Sequence, residues 1–346
     1  MSSAKAPPEG PVAIIGAGSI GVGWAVVFAR VGIPVALFDP VAERLAAAEG
    51  ELAAVLAHLA AAGLLEDPSA AAGLVRFESD LAGAVAGARH VQECAPESLE
   101  LKRRIFGNLE SVAPAGSTLA SSSSAIACSA FAGELAGRSR CLVAHPANPP
   151  YLLAVVELVP APFTAPETVQ RAKDLFIGAG MTPIVLHREI EGFVYNRLQG
   201  ALLREAYCLV RDGVVDPEDV DRIVHDGLGR RWSVLGPFET AELNTRGGIE
   251  AHAAKLGPAY ARMGSERGQD DPWTSELVGR VADSVHRRFP PERWAEAVEW
   301  RDRAMMRLER ARRDDPATFS WPSENPAGNA AADGIGAGDD ATAGQR

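Results

Sequence analysis

Residues 12–39 read VAIIGAGSIGVGWAVVFARVGIPVALFD, which gives strand, glycine turn, helix, strand and acid in that order. Val12 to Ile15 is an unbroken apolar run, the pattern of a parallel strand covered on both faces. Gly16, Gly18 and Gly21 follow it at G-x-G-x-x-G spacing. The first permits a tight turn, the second lets backbone approach a pyrophosphate, and the third lets a helix lie close to the strand. In a chain with 34 glycines the spacing alone says little. Its context says more: a helix over Ile20–Val31, then Gly32, then an apolar strand ending in Asp39. A carboxylate there, about 20 residues on, can accept from an adenosine ribose hydroxyl. Asp39 would repel a 2′-phosphate, and Pro40 supplies nothing to hold one, so the motif implies NAD in preference to NADP.

The 346 residues suffice for two domains, and 47% hydrophobic with 23% charged residues is ordinary for a globular chain. A net charge of −11 argues against a nucleic-acid surface, and the arginines of 301–313 read as a solvated helix face. The N-terminus has no apolar leader and no segment reaches the roughly 18 apolar residues of a membrane span, so a cytoplasmic protein is expected. Cys94, Cys128, Cys141 and Cys208 lack C-x-x-C spacing and read as small buried hydrophobes, with no metal site expected.

Strands are expected at Leu74–Phe77, His90–Cys94, Thr118–Ala120, Cys141–Ala144, Ala154–Val159 and Pro183–Leu186. Between them lie an Ala/Leu/Glu-rich helix or helical pair over Val41–Leu65, and a helix over Leu99–Val112 with Leu101, Ile105 and Leu109 on one face. Thr164 and Glu167 suggest a capping box for a helix ending at Ile177. From Gly192 the pattern is helical: Phe193–Arg211, a helix capped by Asp216 before Pro217, and others near Ile249–Leu256, Trp273–His286 and Arg293–Arg312. The fold class is therefore α/β, a Rossmann-type, doubly wound and mostly parallel sheet followed by an all-α domain. Boundaries fall at 1–190, 191–313 and a disordered tail over 314–346.

Further motifs carry a resemblance: ASSSSA at 120–125, AHPANPP at 144–150 with Glu157 beyond, and GFVYNRL at 192–198. With the glycine turn they resemble the 3-hydroxyacyl-CoA dehydrogenase superfamily. QECAPESLELK, HPANPPYLLAVVELVP and GLGRRWSVLGPFET resemble its lambda-crystallin / L-gulonate 3-dehydrogenase branch more than its acyl-CoA enzymes. The resemblance implies a homodimer and places Ser19 and Ile20 at the pyrophosphate turn, with Glu97, Lys102 and Ser122 beside the cofactor. It makes Ser124 the partner of the substrate hydroxyl, His145 the general base, Glu157 the carboxylate that holds it, and Asn196 the amide near the reacting oxygen. Asn148 joins the substrate set.

Chemistry agrees with those roles. Oxidising a secondary alcohol requires a base for the hydroxyl proton as hydride leaves the same carbon, and an imidazole oriented by a carboxylate suits that task near neutral pH. Segment 41–90 has no lysine and seven acids against Arg44, Arg76 and Arg89, a poor surface for the phosphates of coenzyme A. The expected substrate is thus a small free 3-hydroxy acid such as L-gulonate. An acyl-CoA enzyme, a carnitine dehydrogenase and a polyketide-tailoring ketoreductase share the architecture, and a crystallin-like protein without turnover would have no reason to keep the four catalytic positions. Arg231 is the candidate anchor for a substrate carboxylate, since a guanidinium can bind it bidentately.

Overall fold

The computed structural model describes residues 10–267 other than 247, the positions 274, 276, 279 and 287, and residues 290–315. Most of the helix expected over Trp273–His286, and the tail beyond Asp315, lie outside the described residues.

Eight strands form one sheet: β1 Val12–Ile15, β2 Val35–Phe38, β3 Val75–Glu78, β4 His90–Glu93, β5 Thr118–Ser121, β6 Cys141–Pro146, β7 Val155–Pro160 and β8 Thr182–Val185. Their order is β3-β2-β1-β4-β5-β6-β7-β8. Only β6 and β7 pair antiparallel. Central strands such as β1 and β5 are buried along their whole length, whereas the edge strand β8 alternates exposed and half-buried residues. Alternation sends Val12 and Ile14 into one core, with Trp24, Phe28, Leu52, Leu56 and Phe176. Ala13 and Ile15 enter the other, with Phe106, Leu109, Phe131 and Phe193.

The helices of the sheet domain are α1 Ser19–Ala29, α2 Ala42–Ala61, α3 Pro68–Gly73, α4 Leu81–Val85, α5 Leu99–Val112, α6 Cys128–Ala132 and α7 Pro166–Gly178. Segment 41–65 is one helix: Gly50 does not interrupt it, and it ends before Gly63 turns to φ +70°. The sequence reading passed over α3 and α4, whose N-termini are capped by the Asp67 and Asp80 carboxylates. Two anticipated caps are absent. Thr164 accepts from the Ala161 N–H and donates to the Cys141 carbonyl, so α7 starts at Pro166 without a capping box. Asp216 makes no side-chain bond to the helix Pro217–Arg222 that follows it. The inner face of α5 is Lys102, Phe106 and Leu109, with Leu101 and Ile105 half-buried beside it.

Helix α8, Tyr195–Arg211, opens the helical region, which among the described residues has no strand. It continues through Pro217–Arg222, a π-helical turn Ile223–Leu228, Gly229–Trp232, Pro237–Asn244 and Gly248–Ser265. A final helix, Trp294–Asp314, returns to the sheet domain, where Met306 enters the core beside α2. Arg310 and Arg313 donate to the Gly63 and Leu64 carbonyls at 2.5 and 3.1 Å. The arginines read as a solvated face are therefore partly docked.

Candidate active site

The sheet order turns back between β1 and β4, and a crevice at the carboxyl ends of such strands is where this topology binds ligands. The three glycines there are not interchangeable. A Cβ on Gly16, whose φ is +109°, would lie 2.8 Å from the Cys94 carbonyl, and one on Gly21 would lie 1.9 Å from the Gly16 oxygen. One on Gly18 would meet nothing within 4 Å. Two glycines thus serve close packing, while the middle one borders open space at the start of α1, beside exposed Ser19 and half-buried Ile20. No side chain caps α1, which leaves its N-terminal N–H groups for an anion. Asp39 accepts from the Ala17 N–H at 2.9 Å and the Val41 N–H at 3.0 Å, one bond to each oxygen. A carboxylate has further lone pairs for a ribose, so the residues present fit a dinucleotide.

About the next turns of the sheet, His145 is the penultimate residue of β6 and Glu157 lies directly opposite on antiparallel β7. His145 Nδ1 is 2.8 Å from Glu157 Oε2. The other carboxylate oxygen accepts from the Val194 and Tyr195 N–H groups at 2.7 and 3.0 Å. Glu157 thereby caps α8 and holds the histidine at once. The backbone makes this possible by placing Gly192 and Phe193 at φ +74° and +50°, a conformation a phenylalanine rarely takes. Phe193 is fully buried against the His145 ring. Burial opposes ionisation of Glu157, but the bonds from His145, Tyr195 and Val194 outweigh it and hold its carboxyl below the usual range. An ionised carboxylate only accepts, so Nδ1 carries the proton and Nε2 keeps the lone pair of a base.

The serine loop is organised by Glu97. One of its oxygens accepts from the Ser123 hydroxyl at 2.5 Å and from the N–H groups of Ser124, Ala125 and Ile126 at 3.1–3.2 Å. Burial disfavours its charge, but the Ser123 bond, the Lys102 ammonium and these N–H groups prevail, and its pKa is lowered. Asn196 on α8 donates to the Ser124 carbonyl at 3.1 Å, which ties the loop to the helical region. Asn148 is exposed between buried Ala147 and Pro149. Among the described residues no group of His, Cys, Asp and Glu could hold a metal ion.

Residues 11–190 match the model of the 3-hydroxyacyl-CoA dehydrogenase NAD binding domain, and residues 192–282 match that of the C-terminal domain. The chain belongs to the 3-hydroxyacyl-CoA dehydrogenase family. This dehydrogenase is an NAD-dependent oxidoreductase acting on CH–OH. It is 41% identical over 317 residues to the lambda-crystallin homolog of Bos taurus, covering 89% of this chain and 97% of that one. It is 38% identical over 279 residues to L-carnitine dehydrogenase of Streptomyces griseus subsp. griseus, covering 79% and 80%. Among solved structures it resembles the NAD-dependent 5-formyl-3-hydroxy-2-methylpyridine 4-carboxylic acid 5-dehydrogenase, with a TM-score of 0.75, 28% identity, and 87% and 97% coverage.

Lys102 and Ser122, which the resemblance places beside the cofactor, are both bonded within the sheet domain. Lys102 is 1% exposed, and its ammonium is held by Glu93 at 2.9 and 3.0 Å, Ser121 at 3.4 Å and Glu97 at 3.5 Å. Its ammonium thereby supports Glu97, which holds the serine loop. The Ser122 hydroxyl accepts from Trp24 Nε1 and Gln92 Nε2 at 3.0 and 2.7 Å, so both its lone pairs are used inside the domain. That network continues from Gln92 to His90, whose pKa burial pushes down to about 4. Arg231 is exposed on Gly229–Trp232 and forms no hydrogen bond or ion pair with the site among the described residues. Glu93 escaped the sequence reading, although an acid inside a buried strand nine residues before Lys102 was the available signal. Three cysteines are buried and Cys94 is half-buried, and burial raises the Cys94 and Cys141 thiols to about 12.

Proposed function

We propose that the protein oxidises the 3-hydroxyl of a small free hydroxy acid of the L-gulonate kind, giving the 3-oxo acid, with His145 as general base. The observation that carries this reading is the buried His145–Glu157 pair, with Nδ1 and Oε2 2.8 Å apart. NAD, when held by the glycine turn and Asp39, would supply the hydride acceptor for the carbinol carbon. His145 Nε2 takes the hydroxyl proton, and Glu157 stabilises the imidazolium that results. The exposed Ser124 hydroxyl and the second N–H of the Asn196 amide bond the substrate oxygen as charge develops on it. Gly16, Gly18, Ser19, Ile20 and Gly21 receive the pyrophosphate, Asp39 the ribose, and Glu97 the cofactor beyond it; Asn148 and Arg231 contact the acid.

A free acid is favoured over a thioester by charge. Glu43, Glu49 and Glu51 line α2, where Arg44 is already paired with Glu51. Of the arginines that the C-terminal helix brings to the end of α2, Arg303 is engaged by Glu299, Arg310 by Asp314 and the Gly63 carbonyl, and Arg313 by Glu309 and the Leu64 carbonyl, which among the described residues leaves Arg307 beside His58 and Ala62 as the cation offered there. The named substrates of the carnitine and pyridine-carboxylate relatives are likewise free carboxylates. The functional unit is a homodimer formed through the helical region, where Trp232, Val234 and Phe238 are exposed.

The test is one panel of NAD-linked activity with free 3-hydroxy acids, L-gulonate and carnitine included, against their CoA thioesters, run beside His145→Ala. Turnover of the free acids, abolished in the variant, is expected. Turnover of thioesters alone would replace the substrate assignment, and full activity of the variant would remove His145 from the mechanism.

A further inference from the structure

The hairpin that carries the catalytic pair is closed by residues 147–154, between His145 on β6 and Glu157 on β7. This connection is fixed from two sides. On one, Gly23 of α1 has no Cβ because Pro150 occupies that space: a Cβ there would lie 2.7 Å from the Pro150 ring. Arg30 at the end of α1 donates to the Tyr151 carbonyl at 2.7 Å. On the other, the Tyr151 hydroxyl donates to Asp302 Oδ2 at 2.9 Å. Asp302 belongs to the helix Trp294–Asp314, which lies past residue 282, where the second family domain ends. That helix is anchored independently by Met306 in the core and by the two arginines on the Gly63 and Leu64 carbonyls. Within the connection the Leu152 and Leu153 N–H groups donate to the Pro149 carbonyl, so Tyr151 sits in a tight turn three residues from Asn148. Asn148 is the one exposed position between His145 and Pro150.

We propose that Asp302, acting through Tyr151, is a positioning residue that sets the turn carrying Asn148 toward the substrate. A phenol donating to a carboxylate is a charge-assisted bond, and it ties the Tyr151 side chain, where Arg30 holds only the backbone carbonyl of that residue. The helix beyond the two family domains then has a task in the reaction besides covering α2. The inference rests on the assignment of Asn148 to the substrate.

The experiment uses the full chain and two readouts. In Asp302→Ala, amide exchange across 147–153 is expected to quicken while β6 and β7 stay protected, and KM for the hydroxy acid to rise about tenfold, the loss of one charge-assisted bond. kcat and the Kd for NAD should stay within about twofold of wild type. Tyr151→Phe should reproduce this, the double variant should be no worse than either single, and Asp302→Asn, which keeps an acceptor oxygen, should restore KM. A merely structural helix would give no such rescue. Unchanged exchange overturns the proposal, as does faster exchange with unchanged KM, or a KM loss matched by the Kd for NAD. If wild type turns over no free acid, the substrate assignment has failed, and the exchange readout still decides whether Asp302 sets the turn.

Discussion

The sheet domain and the helical region bury their apolar residues very differently. Strands β1, β4, β5 and β6 are covered completely, and the cores on the two faces of the sheet take in only Met306 and Phe193 as buried residues from beyond residue 190. In the helical region, Gly248–Ser265 runs 18 residues without one buried side chain, and Phe238 and Leu243 are 77% and 70% exposed. Apolar surface on this scale marks an interface. The pair that handles the proton therefore lies on the buried sheet, tied to α8 through the Val194 and Tyr195 N–H groups, while Arg231 lies in the part that leaves apolar surface exposed. Changes to the first should act on turnover and cofactor, and changes to the second on substrate binding and assembly.

The largest effect should come from His145→Ala, which removes the base and leaves the glycine turn untouched. Turnover should fall by at least about 10²-fold, with the Kd for NAD nearly unchanged. Steady-state rates with equilibrium cofactor binding check both halves, and a parallel loss of NAD affinity would break the separation between the site's two tasks.

Next comes the helical region. Arg231→Met should raise KM for the acid by roughly 10²-fold, the loss of a bidentate charge-assisted pair worth about 2–3 kcal/mol, without altering NAD binding. Within one chain Arg231 is exposed and unbonded to the site. A KM within twofold of wild type would make it a surface residue. Phe238→Glu should shift sedimentation toward the monomer at micromolar protein and raise KM with it; a monomeric wild type would instead show that the exposed helices await another partner.

The same contrast explains what was legible in the sequence. All eight strands fall within a residue or two of their expected places, because buried parallel strands leave apolar runs between glycines and prolines that survive any tertiary rearrangement. His145 and Glu157 could be named from motifs, but only the antiparallel register shows that they face each other. The burial of Lys102 on the inner face of α5 was not legible, because its partner Glu93 lies on another element. The docking of 294–314 was hidden for a like reason. Its arginines bond backbone carbonyls, which every residue has and no sequence marks. Helix caps failed at Thr164 and Asp216 because neighbouring chain competed for the same side chain or none was required.

A smaller effect should follow from Asp39→Ser in the sheet domain. Loss of the ribose acceptor should weaken NAD by about tenfold and narrow the preference over NADP, since the repulsive carboxylate is gone. The same residue ties Ala17 in the glycine turn, so a thermal melt belongs beside the kinetics to separate cofactor choice from stability. An unchanged NAD/NADP ratio would place the ribose elsewhere.

The smallest expected effect concerns Glu157 and pH, and it tests whether the closed domain draws stability from its own catalytic pair. The folded carboxyl titrates below its ordinary value, because the His145, Tyr195 and Val194 bonds to the ionised form outweigh burial. A group whose folded pKa is depressed contributes stability that is complete above the unfolded pKa and is lost as pH falls through the folded one. Wild type should accordingly exceed Glu157→Gln by a constant margin from pH 7 down to about 5, and by a shrinking margin at more acid pH. The difference between the two proteins cancels the titration of carboxylates away from the pair, so Tm is measured in parallel below about pH 5, where the Glu157 carboxyl itself takes up its proton. A margin that stays level down to about pH 3 would mean that the ionised carboxylate gains nothing from its three partners in the fold, and that Glu157 is kept for orienting His145 alone.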